Sequence, residues 1–490
     1  MAQYNTGNNS FQTHNRTLFE VNQIALSNGH QVDTNNRFPV DAGDINAYII
    51  GDPPVANPDA FGRARVSETF TLGDYKHLFA IDPNFLDYIV DGASVTFNQN
   101  EASATLATTS NSQALAVHQS KFYHHYQPGK SQLIFSSVCF GYPQQNVTKR
   151  TGYFDDRDGI YFEQVGSSTA NGSVANSSTQ TLNFVVRLYT SNTASEADVS
   201  TTVNGVAYTY KRRVPQTEWN IDKCDGTGAS GFNIDMSKTQ LIYIDFQWLG
   251  VGRVRTGFVH NGKIIIAHEF YNSNVLDTVY MANPNLPIRC EIRNTGTTTG
   301  GSFKQICATV ASEGGYAESG IDFAVTSGAR TTPTPAANTL PLIAIRLKNS
   351  FNGYPNRISV RPNTISFYAE TNSVEYDLVK FPSASSLSAA GGLTWTSVAN
   401  NSGVEYCVNA TGYTAGDVDR LAAGFIPAGA SQNSLSPVST GELTTAKKNV
   451  IVQNYDSSNS EVYAVLVRTI TTTGQATATV GAALQWREIY

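Results

Sequence analysis

Arg253-Val254-Arg255-Thr256-Gly257-Phe258-Val259-His260-Asn261-Gly262-Lys263-Ile264-Ile265-Ile266-Ala267-His268 is the stretch that decides the fold. Two runs of strand length flank Asn261-Gly262. Both turn residues tolerate φ > 0, which a two-residue turn matching the twist of paired strands requires. The stretch therefore predicts a β-hairpin. Outward from it the same pattern recurs at 240–248, 182–189, 160–165 and 132–138, and at 93–98 and 103–108 around a turn at 98–101. Strands that follow one another with no helical periodicity between them predict a sandwich or jelly roll.

Composition agrees with this reading. Charged residues make up 15% of the 490-residue chain, against roughly 25% in an average globular protein. Ser, Thr, Asn and Gly supply the missing polarity. They are poor helix formers, because their side chains compete for backbone hydrogen bonds or their backbone loses more entropy, but they suit turns and solvated strand faces. The hydrophobic fraction of 40% is enough for buried cores.

Several function classes are disfavoured. A net charge of −6 offers no long-range attraction to nucleic acid or to an anionic membrane, and Lys211-Arg212-Arg213 is too short a run to reverse that. No apolar stretch reaches the ~18–20 residues that span a bilayer. The first residues lack the basic-then-apolar pattern of a secretory signal. The five cysteines are scattered and without CxxC spacing, unlike a zinc site or a disulfide framework, and suit folding in a reducing cytoplasm.

The expected organisation has four parts. Residues 1–60, rich in Asn and Gln, form an extended N-terminal docking arm that has too little apolar surface to order alone. Residues 61–326 form the central β-sandwich, and the Thr/Pro-rich stretch 327–340 is a linker with extended backbone. Residues 341–490 form a C-terminal β-rich region with strands at 342–347, 357–362, 364–369, 450–454, 461–468 and 483–490. The fold class is thus all-β, a jelly-roll or concanavalin-like sandwich plus a C-terminal β-unit and an arm.

Catalytic templates fail one by one. His268-Glu269 lacks the second His of a zinc hydrolase helix. His124 and His125 are adjacent, so on a strand they point to opposite faces. No nucleophile elbow, P-loop or dinucleotide fingerprint occurs. A glycosidase needs two carboxylates about 5–10 Å apart; Glu163, Asp245 and Glu269 stand on or beside strands, but any β-protein of this length holds several such acids. The candidate cation ligands are Asp155, Asp156 and Asp158, three carboxylates in a Gly-terminated turn, with Arg157 as an internal counter-charge; a structural turn with local Asp capping is the preferred reading. Candidate glycan contacts are Tyr123 and Tyr126, beside the two histidines, with Tyr271 and Asn272. Aromatic faces cover apolar sugar faces while amides meet hydroxyls; core packing is the alternative for these residues and the preferred one. No cofactor and no catalytic residue is expected.

One segment order is distinctive: 126–130, then 150–163, then 219–222, then 245–255, then 281–292. These pieces include Arg150-Thr151-Gly152-Tyr153-Phe154-Asp155-Asp156-Arg157-Asp158-Gly159 and Asp245-Phe246-Gln247-Trp248-Leu249-Gly250. Together they resemble virion structural proteins of tailed phages, of the cyanophage and aquatic-phage type, over residues 110–320. The strand pattern is also similar to concanavalin- and laminin-G-like lectins. The first resemblance implies a structural component of a bacteriophage virion, synthesised in the host cytoplasm, at the tail, the baseplate or another surface appendage. Its partners would be other virion proteins and copies of itself, without nucleic acid or membrane insertion. The alternatives are a receptor-binding module that recognises host surface glycan, or a capsid decoration protein.

Overall fold

The computed structural model describes residues 10–13, 16–20 and 68–490, apart from 177, 191–192, 298, 316–318, 335–337, 417, 429–449, 456–457 and 471–475. The chain divides into two compact units, Met1–Asn57 and Pro58–Tyr490. In the first, Ser10–Thr13 pairs antiparallel with Arg16–Glu20; the rest of the expected docking arm lies outside the described residues.

The second unit is all-β and begins with the expected sandwich. One sheet runs Thr193–Ser195, Gln180–Thr190, Gly159–Gly166, Val147–Phe154, Ile288–Asn294, Leu115–Ser120, Phe85–Val90, with Arg213–Pro215 beside Gln180–Thr190. The other runs Lys263–Phe270, Val254–His260, Gln240–Phe246, Gln132–Cys139, Ser302–Ser312, Ser103–Ala107, Ser94–Asn98, with Phe70–Lys76 beside Ser302–Ser312. Alternate residues of the two sheets meet: Ile160, Phe162, Phe184 and Val186 from one, Ile242, Ile244, Val254 and Phe258 from the other. Each such side chain contributes about 1.5–3 kcal/mol by leaving water.

The hairpin that opened the reading forms as expected, with Asn261 at φ 51° and Gly262 at φ 75°. Its ladder slips by one residue at Thr256/Gly257. A Cβ on Gly257 would lie 2.0 Å from the Ile265 carbonyl oxygen, so this bulge requires glycine.

The expected boundary at residue 326 moves. Ile321–Thr326 pairs with Thr479–Ile489 near the C-terminus, and so does Arg330–Thr331. The 327–340 stretch therefore connects strands of one sandwich rather than linking two. Thr and Pro set an extended backbone, but composition does not say which sheet that backbone joins. This second sandwich packs the sheet Ile321–Thr326, Thr479–Ile489, Arg330–Thr331, Ser359–Ala369 against Thr396–Ser397, Val404–Cys407, Leu340–Leu347, Val462–Thr469, Val374–Phe381, Asp419–Ile426. Trp486, Leu484, Ile365 and Val465 lie in its core. The two strands expected at 357–362 and 364–369 are one strand, Ser359–Ala369, with an irregularity between Pro362 and Thr364. The strand expected at 450–454 reduces to isolated bridges at Ile451 and Gln453.

Polar contacts dock the two sandwiches. The Tyr455 hydroxyl donates to Asp156 Oδ1 at 2.7 Å and its ring stacks on Tyr88 at 4.4 Å. Arg357 lies over the Tyr123 ring at 4.9 Å, and His125 Nε2 is 3.2 Å from Ser359 Oγ. Tyr455→Phe keeps the stack and deletes two charge-assisted bonds, to Asp156 and from Arg289 at 3.3 Å, so urea unfolding should show a loss of about 1.5–3 kcal/mol. An unchanged midpoint would mean that the Tyr455 hydroxyl adds nothing to docking.

Candidate functional site

The turn Asp155–Asp158 joins Val147–Phe154 to Gly159–Gly166. Asp155 shapes it: Oδ1 accepts from the backbone N–H of Arg157 at 2.8 Å and of Asp158 at 3.0 Å, and Oδ2 accepts from the Tyr123 hydroxyl at 3.3 Å. Asp158 turns the other way, its Oδ1 accepting from Ala282 N at 2.7 Å and Tyr189 N at 3.2 Å. Asp156 is the outward member and pairs with Arg289 at 2.8 Å. The three candidate cation ligands thus point to three different sets of partners. Among the described residues no group of three or more His, Cys, Asp or Glu is placed to hold a metal ion. Burial pushes the Asp158 carboxyl up to about 7, because taking its charge out of water costs more than the backbone donors of Ala282, Tyr189 and Asn283 return.

This turn forms one wall of a cleft of about 700 Å³, a size typical of small-ligand sites. From the first sandwich come Arg157, Tyr189, Thr190 and Asn283; from the second come Tyr354, Pro355 and Arg357. The Arg157 guanidinium lies 4.2 Å from the Tyr189 ring and 5.6 Å from the Tyr354 ring. Sequence reasoning treated Arg157 as a counter-charge for the aspartates, whereas its head group contacts rings. The Tyr354 side of the cleft had no local signal, because the wall is assembled from segments more than a hundred residues apart.

The four glycan candidates are dispersed. Tyr123 is buried under Arg357. Tyr126 is buried against Phe246, and its hydroxyl accepts from Trp248 N at 3.0 Å. Asn272 is buried, bonded to the Tyr210 hydroxyl and the Gly252 carbonyl at 2.6 and 2.5 Å. Tyr271 is 51% exposed, its hydroxyl donating to Glu269 at 2.6 Å; burial and that carboxylate push it up to about 12. Of the four, only Tyr271 offers a ring to solvent. The adjacent histidines divide much as strand geometry expects: His124 is buried, bonded to Tyr75 and the Leu286 carbonyl, while His125 is half-buried against the second sandwich.

The acids on these strands pair with arginines. Glu163, Arg150 and Glu291 are direct cross-strand neighbours on three adjacent strands, so they form a row on the sheet face turned away from the main core. Arg150 bridges them, 3.1 Å from Glu163 and 2.8 Å from Glu291. Arg213 also pairs with Glu163, and Arg289 with Glu291. Burial pushes Glu291 upward, but Arg289 and Arg150 outweigh it and hold the carboxyl at about 2. A group so held has no proton to deliver at neutral pH. Asp245 is fully buried against Arg255, and Glu269 faces Arg253.

No family model matches the chain, and no curated protein matches it. Solved structures do. The carbohydrate recognition domain of Emp47p aligns at TM-score 0.28 and 11% identity, covering 50% of this chain and 96% of that one. Peanut lectin aligns at 0.27 and 11%, covering 50% and 98%. A β-1,3-glucanase from Mycobacterium marinum aligns at 0.28 and 10%, covering 49% and 98%. Likeness at this level concerns a coarse concanavalin-like sandwich layout over half of the chain.

Proposed function

We propose that this chain is a non-catalytic surface protein of a bacteriophage particle whose task is recognition of a host glycan, in the cleft between its two sandwiches. The cleft carries this reading. Its two tyrosine rings offer stacking faces, and around them stand side-chain groups with no hydrogen-bond partner among the described residues: the Arg157 head group, the Tyr189 and Thr190 hydroxyls and the Asn283 amide nitrogen. Flat rings beside unspent donors and acceptors suit a sugar, which shows an apolar ring face and a hydroxyl rim. The absence of turnover is supported by the row Glu163–Arg150–Glu291, in which every carboxylate already has a guanidinium. The particle assignment is supported by the ordered motifs between residues 126 and 292.

Tyr354 is 56% exposed, so its loss should leave the fold intact. Losing a stacking ring is worth about 1 kcal/mol. Particles carrying Tyr354→Ala should assemble normally and adsorb to host cells several-fold more slowly. Failure to assemble, with normal adsorption by those particles that form, would point to a purely architectural role. Absence of the chain from purified particles would remove the phage assignment.

A further inference from the structure

The ligand class follows from the charge of the cleft, and the step rests on the reading that the cleft binds glycan. We infer that the cleft recognises a sugar bearing a carboxylate, with Arg157 as the group that takes it.

Four arginines nearby, Arg150, Arg187, Arg213 and Arg289, each have a carboxylate of this chain. Arg157 has none among the described residues. The residue is half-buried and lines the cleft, with its guanidinium beside the Tyr189 and Tyr354 rings. Ring contacts restrain a guanidinium without consuming its donors, so the fork stays available to a planar, two-oxygen acceptor. Arg357, which spends two donors on the Asn454 and Tyr455 carbonyls at 3.5 and 3.2 Å, adds a second positive charge to the same cleft.

The aspartates of the wall do not compete for the fork. Both Asp155 oxygens are taken by the turn N–H groups and the Tyr123 hydroxyl. Asp158 Oδ1 is taken by the backbone N–H groups of Ala282 and Tyr189. A neutral sugar offers the Arg157 donors only uncharged hydroxyl oxygens, whereas a carboxylate gains a charge-assisted pair in a partly desolvated place.

The test uses the full chain on an array of uronate- and sialate-bearing glycans, each printed beside its carboxyl methyl ester, with neutral glycans alongside. Acidic glycans should bind about ten- to a hundredfold more tightly than their esters. Arg157→Gln should abolish that difference while unfolding like the parent protein. Arg157→Lys, which keeps the charge but not the fork, should fall between. Esters that bind as well as acids, or hits confined to neutral glycans, would overturn the carboxylate and leave glycan recognition standing. No hit of any kind would overturn both.

Discussion

Arg150→Met should lower the unfolding free energy by about 1.5–3 kcal/mol, the range for losing hydrogen bonds to a charged group, because Glu163 keeps Arg213 and Glu291 keeps Arg289. Arg150 is the shared member of the row: one guanidinium satisfies Glu163, whose side chain is fully buried, and Glu291, which is nearly so. Methionine fills much of the volume, so the loss reads as electrostatic rather than as a cavity. The pH dependence identifies the mechanism. In the parent protein the Glu291 carboxyl is held at about 2 in the fold, below its ordinary value. Its contribution is therefore fully present above the ordinary carboxylate range and is lost as pH falls toward 2. In the variant that carboxyl is held down less strongly, so it has less to lose in acid. Urea titrations at pH 7 and pH 3.5 should show the gap between the two proteins closing in acid. A gap of equal size at both pH values would mean that Arg150 acts by packing alone.

The second expected effect has the opposite sign in pH. Burial raises the Asp158 carboxyl to about 7 in the fold, well above its unfolded value near 4. A raised acid favours the folded state at pH values below its unfolded pKa, and that advantage is lost as pH rises through 7. A shift of about three units is worth on the order of 4 kcal/mol at most. Asp158→Asn removes the titration and keeps an oxygen for the N–H groups of Ala282 and Tyr189. The variant should therefore gain on the parent protein by roughly 2–4 kcal/mol between pH 4 and pH 8, whatever its starting offset. The groups facing Asp158 (Asp155, Arg157 and Arg212) are unchanged in this comparison. If the stability difference stays flat across that range, Asp158 is already charged in the fold.

Strand-scale features were legible in the sequence because they depend on near neighbours. The Asn261-Gly262 hairpin and the strands within 132–138, 160–165 and 182–189 follow from turn chemistry and β-propensity over ten residues or fewer. Val147–Phe154 was harder to read. It carries Lys149 and Arg150, which look like surface residues until Lys149 is seen buried against the Phe140 and Tyr142 carbonyls and Arg150 between two glutamates. The candidate site was half legible. Asp155 to Asp158 stood out as a turn, but their cation reading depended on convergence, and convergence is a property of side-chain direction that spacing does not carry. Tyr123, Tyr126 and Asn272 look like sugar contacts as a string and are core residues in three dimensions, because aromatic and amide residues serve both purposes.

By itself the sequence determined an all-β chain with low charge, a hairpin-built central sandwich and further strands reaching the C-terminus. Those properties are sums of short-range preferences. Tertiary structure alone decided that Ile321–Thr326 belongs to the second sandwich, that Glu163 and Glu291 share Arg150, and that Arg157 meets Tyr354 across a cleft. Each of these joins residues far apart in the chain. Which strand pairs with which, and in what register, is set by the packing of whole sheets. The Asn-Gly turn therefore announced its own hairpin from sixteen residues, while the cleft came into being only when two sandwiches docked.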